Sequence, residues 1–235
     1  MKKFITFYAL VTLVLLTYGL REALVSAPTE QTMGDVQRIF YYHVPSAWTA
    51  MILFFINFCA SIWYLVQRNI VSDAIAVATA EVGVVFCTIV LITGPLWARP
   101  VWGIWWTWDA RLTSTLILWL IYVSYLILRR YATGGQTQVL AAVLAVFGFL
   151  DVPLVYMAIR WFRTQHPSPV IGGGEGSGLD PRMLHALLVN WLAFMVFAGL
   201  ICFLRFRLEI LTRRVDEEHA RRALDDDAAF AGGAR

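Results

Sequence analysis

The sequence predicts an all-α, polytopic membrane protein with six transmembrane helices and a tryptophan-rich extracytoplasmic loop between helices 3 and 4. Three observations predict it. Hydrophobic residues make up 59% of the 235-residue chain and the mean hydropathy is +0.65, well above the apolar share of a soluble domain. The apolar residues fall in six runs of spanning length, at 4–20, 47–66, 75–93, 112–128, 139–159 and 184–204. Each run is continuous rather than alternating, the pattern of helices and not of barrel strands.

Lys2 and Lys3 precede the first run, and Val25-Ser26-Ala27 faintly resembles a leader cleavage site. Pro28 directly after it, and the run's full spanning length, favour a retained first span. From Thr29 to His43, the residues Met33, Val36, Phe40 and His43 recur at helical spacing, predicting a short helix with one apolar stripe in the first outer loop. Pro45 is expected to stop that helix and Ser46 to cap the second span. The third run carries Glu81 near its inner end. After it, five of the ten tryptophans fall between Trp97 and Asp109. Gly94, Pro95, Pro100 and Gly103 are expected to break any helix there, leaving an irregular, aromatic-walled connection.

Asp109 is placed to cap the fourth span. The fifth run holds Asp151, two residues before Pro153. Carboxylates inside a membrane, such as Glu81 and Asp151, either face the bundle, protonated or hydrogen-bonded, or serve a function there. The third outer loop brings Trp161, Arg163 and His166, then a flexible glycine-rich run at 172–178. Asp180 and Pro181 read as the N-cap and first position of the sixth span. Residues 1–210 thus form the membrane domain. Residues 211–235 form a charged cytoplasmic tail, a solvated helix expected to fade into disorder at Asp225-Asp226-Asp227.

Twelve of the nineteen Lys and Arg residues lie on the side of the two termini, which predicts that both termini are cytoplasmic. Cys59, Cys87 and Cys202 sit inside apolar runs and read as small buried hydrophobes. There is no Cys-x-x-Cys-His, no nucleotide-binding loop and no basic run, which excludes a covalent c-type haem, an ATP site and a nucleic-acid partner.

The outer face gathers the tryptophan loop with His43, His166, Arg99, Arg111 and Arg163. Two neutral imidazoles can supply both axial positions of a haem iron, indoles can hold a flat ligand, and arginines can pair with its carboxylates. Arg111 sits in the first turn of the fourth span, where the helix dipole disfavours a cation. Either Asp109 or a ligand carboxylate should therefore compensate it. Haem, a quinone, another flat ligand, a membrane-anchoring belt and a plain docking surface all satisfy this pattern. His185, among Met183, Leu184 and Leu187, reads as a packed, hydrogen-bonded residue, and His219 as solvent-exposed. Trp48, Trp63, Trp119 and Trp191 read as belt or core.

The run from Trp102 through Gly103, Ile104, Trp105, Trp106, Thr107, Trp108, Asp109, Ala110 and Arg111 to Ser114 resembles the signature of the WWD-domain haem-handling proteins. Tyr42-His43-Val44-Pro45 resembles that group's first outer histidine motif, and His166 occupies the place of the second. Over residues 1 to 210 the chain is similar to the CcmC (haem exporter protein C) family of cytochrome c maturation proteins. The resemblance implies that His43 and His166 are axial ligands of a haem iron. It also implies that Trp102, Gly103, Trp105, Trp106, Trp108, Asp109 and Arg111 form the haem platform. Its further implications are haem b held non-covalently and transiently at the outer face of the bacterial inner membrane, and delivery to a periplasmic haem chaperone. The partners it implies are the ATPase and permease subunits of an ABC transporter complex and a small single-span membrane subunit.

On this reading the protein is a binding and transfer subunit and not an enzyme. The alternative is a WWD-type cytochrome c synthase, a haem lyase acting directly on apocytochrome. Such proteins carry additional spans and an additional transmembrane histidine pair, and neither is found here. A third possibility, haem moving through the bundle itself, would need a polar path for which Glu81 and Asp151 are the obvious residues.

Overall fold

Among the described residues, seven α-helices make up six segments long and apolar enough to cross a membrane. They are α1 (Lys2–Arg21), α2 (Phe40–Gln67), α3 (Ile70–Trp102), α4 (Ala110–Tyr131), α5 (Thr137–Phe149) with α6 (Asp151–Trp161), and α7 (Pro181–Gly233). The computed structural model describes residues 1–132, 134–167, 169, 171 and 178–233, with side chains as far as residue 225. Among the described residues there is no strand, only one isolated bridge between Glu30 and Gly34. The protein is therefore an all-α polytopic membrane protein. The glycine-rich run expected at 172–178 lies, apart from Gly178, outside the described residues.

The core lies where α2, α3, α4, α5 and α7 meet, around Phe54, Phe86, Leu118, Tyr122 and Tyr125. Phe54 stacks on Tyr122 with ring centres 3.8 Å apart. Gly83 makes room for that stack, because a Cβ there would stand 2.7 Å from the Phe54 ring. The first helix is tied to the last by Asn190, whose amide donates to the carbonyls of Gly19 (3.0 Å) and Ala186 (2.8 Å). Such side-chain bonds hold helices together where lipid weakens the hydrophobic drive.

The end of the bundle away from the tryptophans is locked by charge. Asp73 is 2% exposed and accepts from both Nη atoms of Arg129 (3.0 and 2.9 Å) and from Arg213. Arg213 also donates to Glu209 at 2.7 Å. Glu81 is paired with Arg205, Oε1 to Nη2 at 2.7 Å. This is the bundle-facing, hydrogen-bonded reading of that carboxylate, and its charge is met by α7.

Several local expectations are corrected. No separate helix precedes Pro45: a 3₁₀ turn (Asp35–Ile39) runs directly into α2, and Pro45 and Ser46 lie buried inside that helix. Pro45, at the sixth position of α2, has no N–H to give to the preceding turn, a loss that membrane helices tolerate because neighbouring groups re-satisfy the freed carbonyl. For the same reason α3 continues through Gly94, Pro95 and Pro100, so Trp97 and Trp102 are helical and only residues 103–109 are irregular. The fifth span is not one rod. It breaks at Leu150, three residues before Pro153, and Asp151 opens α6. Cys87 is buried and Cys202 partly so, but Cys59 is exposed on the outside of the bundle. The helical backbone of α7 runs unbroken past residue 210 and through 225–227 to Gly233, so the charged tail extends the last span.

Candidate functional site

At the tryptophan end, Gly103 terminates α3 in the left-handed region (φ +79°), a conformation that glycine alone adopts without strain. The Arg99 guanidinium donates to the Gly103 carbonyl and is thereby used at the helix end. Trp97 and Trp102 meet edge to face with centres 5.0 Å apart. In the loop that follows, Ile104, Trp105 and Trp108 are exposed, Trp108 by 77%. Trp106 is tucked beneath Trp108, edge to face at 5.8 Å. Its buried Nε1 finds no acceptor among the described residues.

Asp109 does cap α4, its Oδ1 accepting from Leu112 N at 2.9 Å. Its Oδ2 has a second task. It accepts from the Thr107 hydroxyl (3.2 Å) and from the backbone N–H of Gln165 (3.1 Å), which fastens the tryptophan loop to the segment carrying His166. Arg111 reaches across to α6 and donates to the Val155 carbonyl at 3.2 Å. Arg163 is exposed at the rim.

The two predicted histidines converge. His43 lies in the first turn of α2 and His166 in the loop after α6, yet their ring centres are 6.5 Å apart and their planes 32° apart. Both rings are partly buried. His166 bonds through Nδ1 to the Pro167 carbonyl at 2.9 Å; a carbonyl only accepts, so Nδ1 carries the proton. His43 bonds through Nδ1 to the Thr93 hydroxyl at 2.8 Å, and that hydroxyl's own proton goes to the Ile89 carbonyl at 2.6 Å. In the neutral form both imidazoles thus keep Nε2 as the bare lone pair. Burial, followed by the Arg111 cation, pushes the His166 imidazole down to about 4, so it is neutral at pH 7.

His185 is elsewhere, taking a hydrogen bond with the Tyr18 hydroxyl at 3.2 Å and standing 3.9 Å from Glu22. Among the described residues no cluster of three or more His, Cys, Asp or Glu is placed to hold a metal ion.

Four contributors were invisible in sequence. Thr93 is one hydroxyl in an apolar run. Gln165 and Val155 act only through the backbone, which no side-chain pattern reports. Arg38 donates to the Ala23 carbonyl at 2.8 Å and pairs with Asp35 at 3.0 Å, pinning the turn after α1 against the entry to α2 and so fixing where His43 begins.

Fold and site together define a polytopic membrane protein that presents two neutral imidazoles beside a tryptophan-lined loop at one end of its bundle. The family model for CcmC, heme exporter protein C, matches residues 1–221, and the chain belongs to that family. It is 38% identical over 209 residues to the Heme exporter protein C of Bradyrhizobium diazoefficiens, covering 88% of this chain and 79% of that one. Against the Escherichia coli K12 protein of the same name it is 33% identical over 215 residues, 88% of this chain and 84% of the other. The Haemophilus influenzae protein of that name is 30% identical over 207 residues, 87% and 83% of the two chains.

Proposed function

We propose that this protein binds haem b non-covalently between His43 and His166 at the outer face of the bacterial inner membrane. It then delivers the haem to a periplasmic haem chaperone for c-type cytochrome assembly. The observation that carries the reading is the histidine pair. Two axial imidazoles on one iron, with iron–nitrogen distances of about 2 Å, stand with ring centres roughly 6 Å apart. The 6.5 Å between His43 and His166, and the free Nε2 on each, suit that use.

The surroundings suit the rest of a porphyrin. Trp102, Trp105, Trp106 and Trp108 offer indole surface for a flat apolar ring, and Gly103 and Asp109 set the loop that carries them. The unpartnered Trp106 N–H is a donor waiting for an acceptor, and Arg111 retains donors beyond the Val155 bond for a propionate. The relatives' name, Heme exporter protein C, supports the choice of cargo.

On this reading the protein is a binding module and not an enzyme. His43 and His166 hold the iron, the indole loop orients the ring, and the open side leaves the edge accessible to the chaperone's nucleophile. The excess of Lys and Arg on the side of the termini supports a cytoplasmic placement of both. The ATPase and permease subunits of an ABC complex, with a small single-span subunit, would supply the energy that this chain has no motif to harvest.

The test is the visible spectrum of the detergent-purified protein loaded with haem. Wild type should give a bis-histidine spectrum, and His43→Ala and His166→Ala should each lose it. Both variants keeping it unchanged would refute the ligand assignment. Co-expression with an apocytochrome and no chaperone should yield no holocytochrome; formation of holocytochrome would make the protein a synthase.

A further inference from the structure

We infer that Thr93 is a positioning residue for the His43 ligand: its hydroxyl oxygen holds the imidazole in the Nδ1–H form and turns the Nε2 lone pair into the site. The inference deepens the haem reading above and rests on it only for its consequence at the iron. The hydrogen-bond chain has a determinate direction. The Thr93 hydroxyl has one proton, and the carbonyls of Ile89 (2.6 Å) and Val90 (3.5 Å) on the preceding turn take it. What remains on Oγ1 is lone pairs, so at 2.8 Å Thr93 can only accept from His43 Nδ1–H. A free imidazole places its proton on either nitrogen; this one has a single choice.

The packing makes the same point. His43 lies against α3 so closely that a Cβ on Gly94, the next residue after Thr93, would stand 3.5 Å from His43 Cε1. The ring edge is therefore lodged between two long helices, with its acceptor on one and its backbone on the other. Threonine suits the position because it is stiff at χ1 and readily bonds back to the carbonyl four residues earlier. His166 differs: its acceptor is the carbonyl of its own neighbour, Pro167, in a loop. The two ligands are fixed by different means, and only His43 is fixed by another element of the fold.

A metal-bound histidine that donates its second N–H is a more basic ligand with a set orientation, and loss of the acceptor typically weakens the site about 10- to 100-fold. A more basic ligand favours ferric over ferrous iron. Thr93→Val keeps the shape and removes the acceptor. It should lower haem affinity about tenfold. A tenfold loss confined to the ferric state raises the midpoint potential of the bound haem by about 59 mV, the value for a one-electron couple. Thr93→Ser keeps the hydroxyl and should restore both.

The first arm of the experiment needs no haem. Nitrogen NMR of ¹⁵N-histidine protein in detergent should show His43 protonated at Nδ1 in wild type and in Thr93→Ser, and a shift toward Nε2–H in Thr93→Val. The second arm is the midpoint potential of the haem-loaded proteins. Wild-type His43 protonated at Nε2 would overturn the inference without any variant. Thr93→Val with wild-type tautomer and wild-type potential would overturn it as well. Should Thr93→Val elute as aggregate, Thr93→Ala is read in its place. If wild type takes up no haem, the functional reading falls while the first arm still decides the role of Thr93.

Discussion

Asp109 is the joint between the two halves of the site, and its two oxygens can be separated by substitution. Oδ1 caps α4 at Leu112 N (2.9 Å), while Oδ2 holds the Gln165 N–H (3.1 Å) and the Thr107 hydroxyl (3.2 Å). Asp109→Asn retains one oxygen, which serves the cap, and puts an NH₂ group, a donor, where Gln165 needs an acceptor. Asp109→Ala loses both tasks. A lost N-cap costs about 1 kcal/mol. A hydrogen bond to a charged acceptor contributes about 1.5–3 kcal/mol, and the low end applies here because Gln165 is exposed. That low end corresponds to about tenfold in an equilibrium constant.

Asp109→Asn should therefore bind haem about tenfold more weakly with a nearly unchanged melting temperature. Asp109→Ala should show the same affinity loss and an additional stability loss of about 1 kcal/mol. Haem titration by absorbance and thermal unfolding in detergent read the two quantities separately. Gln165→Ala is the control, since the bond uses its backbone and should survive. Wild-type affinity in Asp109→Asn, or a loss in Gln165→Ala equal to that of Asp109→Asn, would refute the reasoning.

Two further outcomes follow from the charges. Asp73→Asn leaves Glu209 as the remaining carboxylate for Arg129 and Arg213 and should cost about 3 kcal/mol in unfolding, the low end for a broken buried pair, with no change in the haem spectrum. Arg222→Ala, at an exposed pair with Glu218, should leave the melting temperature unmoved. In haem-free protein His166 should titrate near 4 rather than 6.5 by NMR, and Arg111→Gln, which removes the second cause of the shift, should move it upward. The undocked loop takes up a proton that the docked ring refuses. Docking of the loop should thus weaken as pH falls below about 6.5 and level off below about 4.

What the sequence made legible were features written in side-chain type and period. The six spans follow from apolar runs, Asp180 and Pro181 open α7 as their chemistry dictates, and Asp109 caps α4. His43 and His166, 123 positions apart, share the outer face by span counting, and their place as a pair comes from resemblance, because nothing local to either reports the other. Pro45, Pro95 and Pro100 carry a helix-breaking signature that holds in water, whereas a membrane helix has no water to compete for its backbone and continues through them. Nothing near Glu81 in the sequence points to its partner Arg205, 124 positions away. The backbone donor of Gln165 and the backbone acceptor of Val155 carry no residue code at all.

The long third helix explains why the site can be both ordered and open. α3 starts at the Asn69 cap, is held at Asp73 by Arg129 and Arg213, at Glu81 by Arg205 and at Gly83 by Phe54, and reaches Thr93, Gly94 and Trp102 without interruption. Its far end is therefore a fixed reference, and His43 is measured from it through Thr93. His166 sits in an exposed loop after α6, referred to that frame through the Asp109–Gln165 N–H bond and, one helix back, through the Arg111–Val155 bond. A site that takes up a ligand and gives it away needs one wall that stays in place and one that can be released at low cost, since the elements that move are drawn from the least stable parts of a fold. The charge lock at the opposite end of the bundle holds the first wall, and the second is an exposed loop fastened to the tryptophan loop at Asp109.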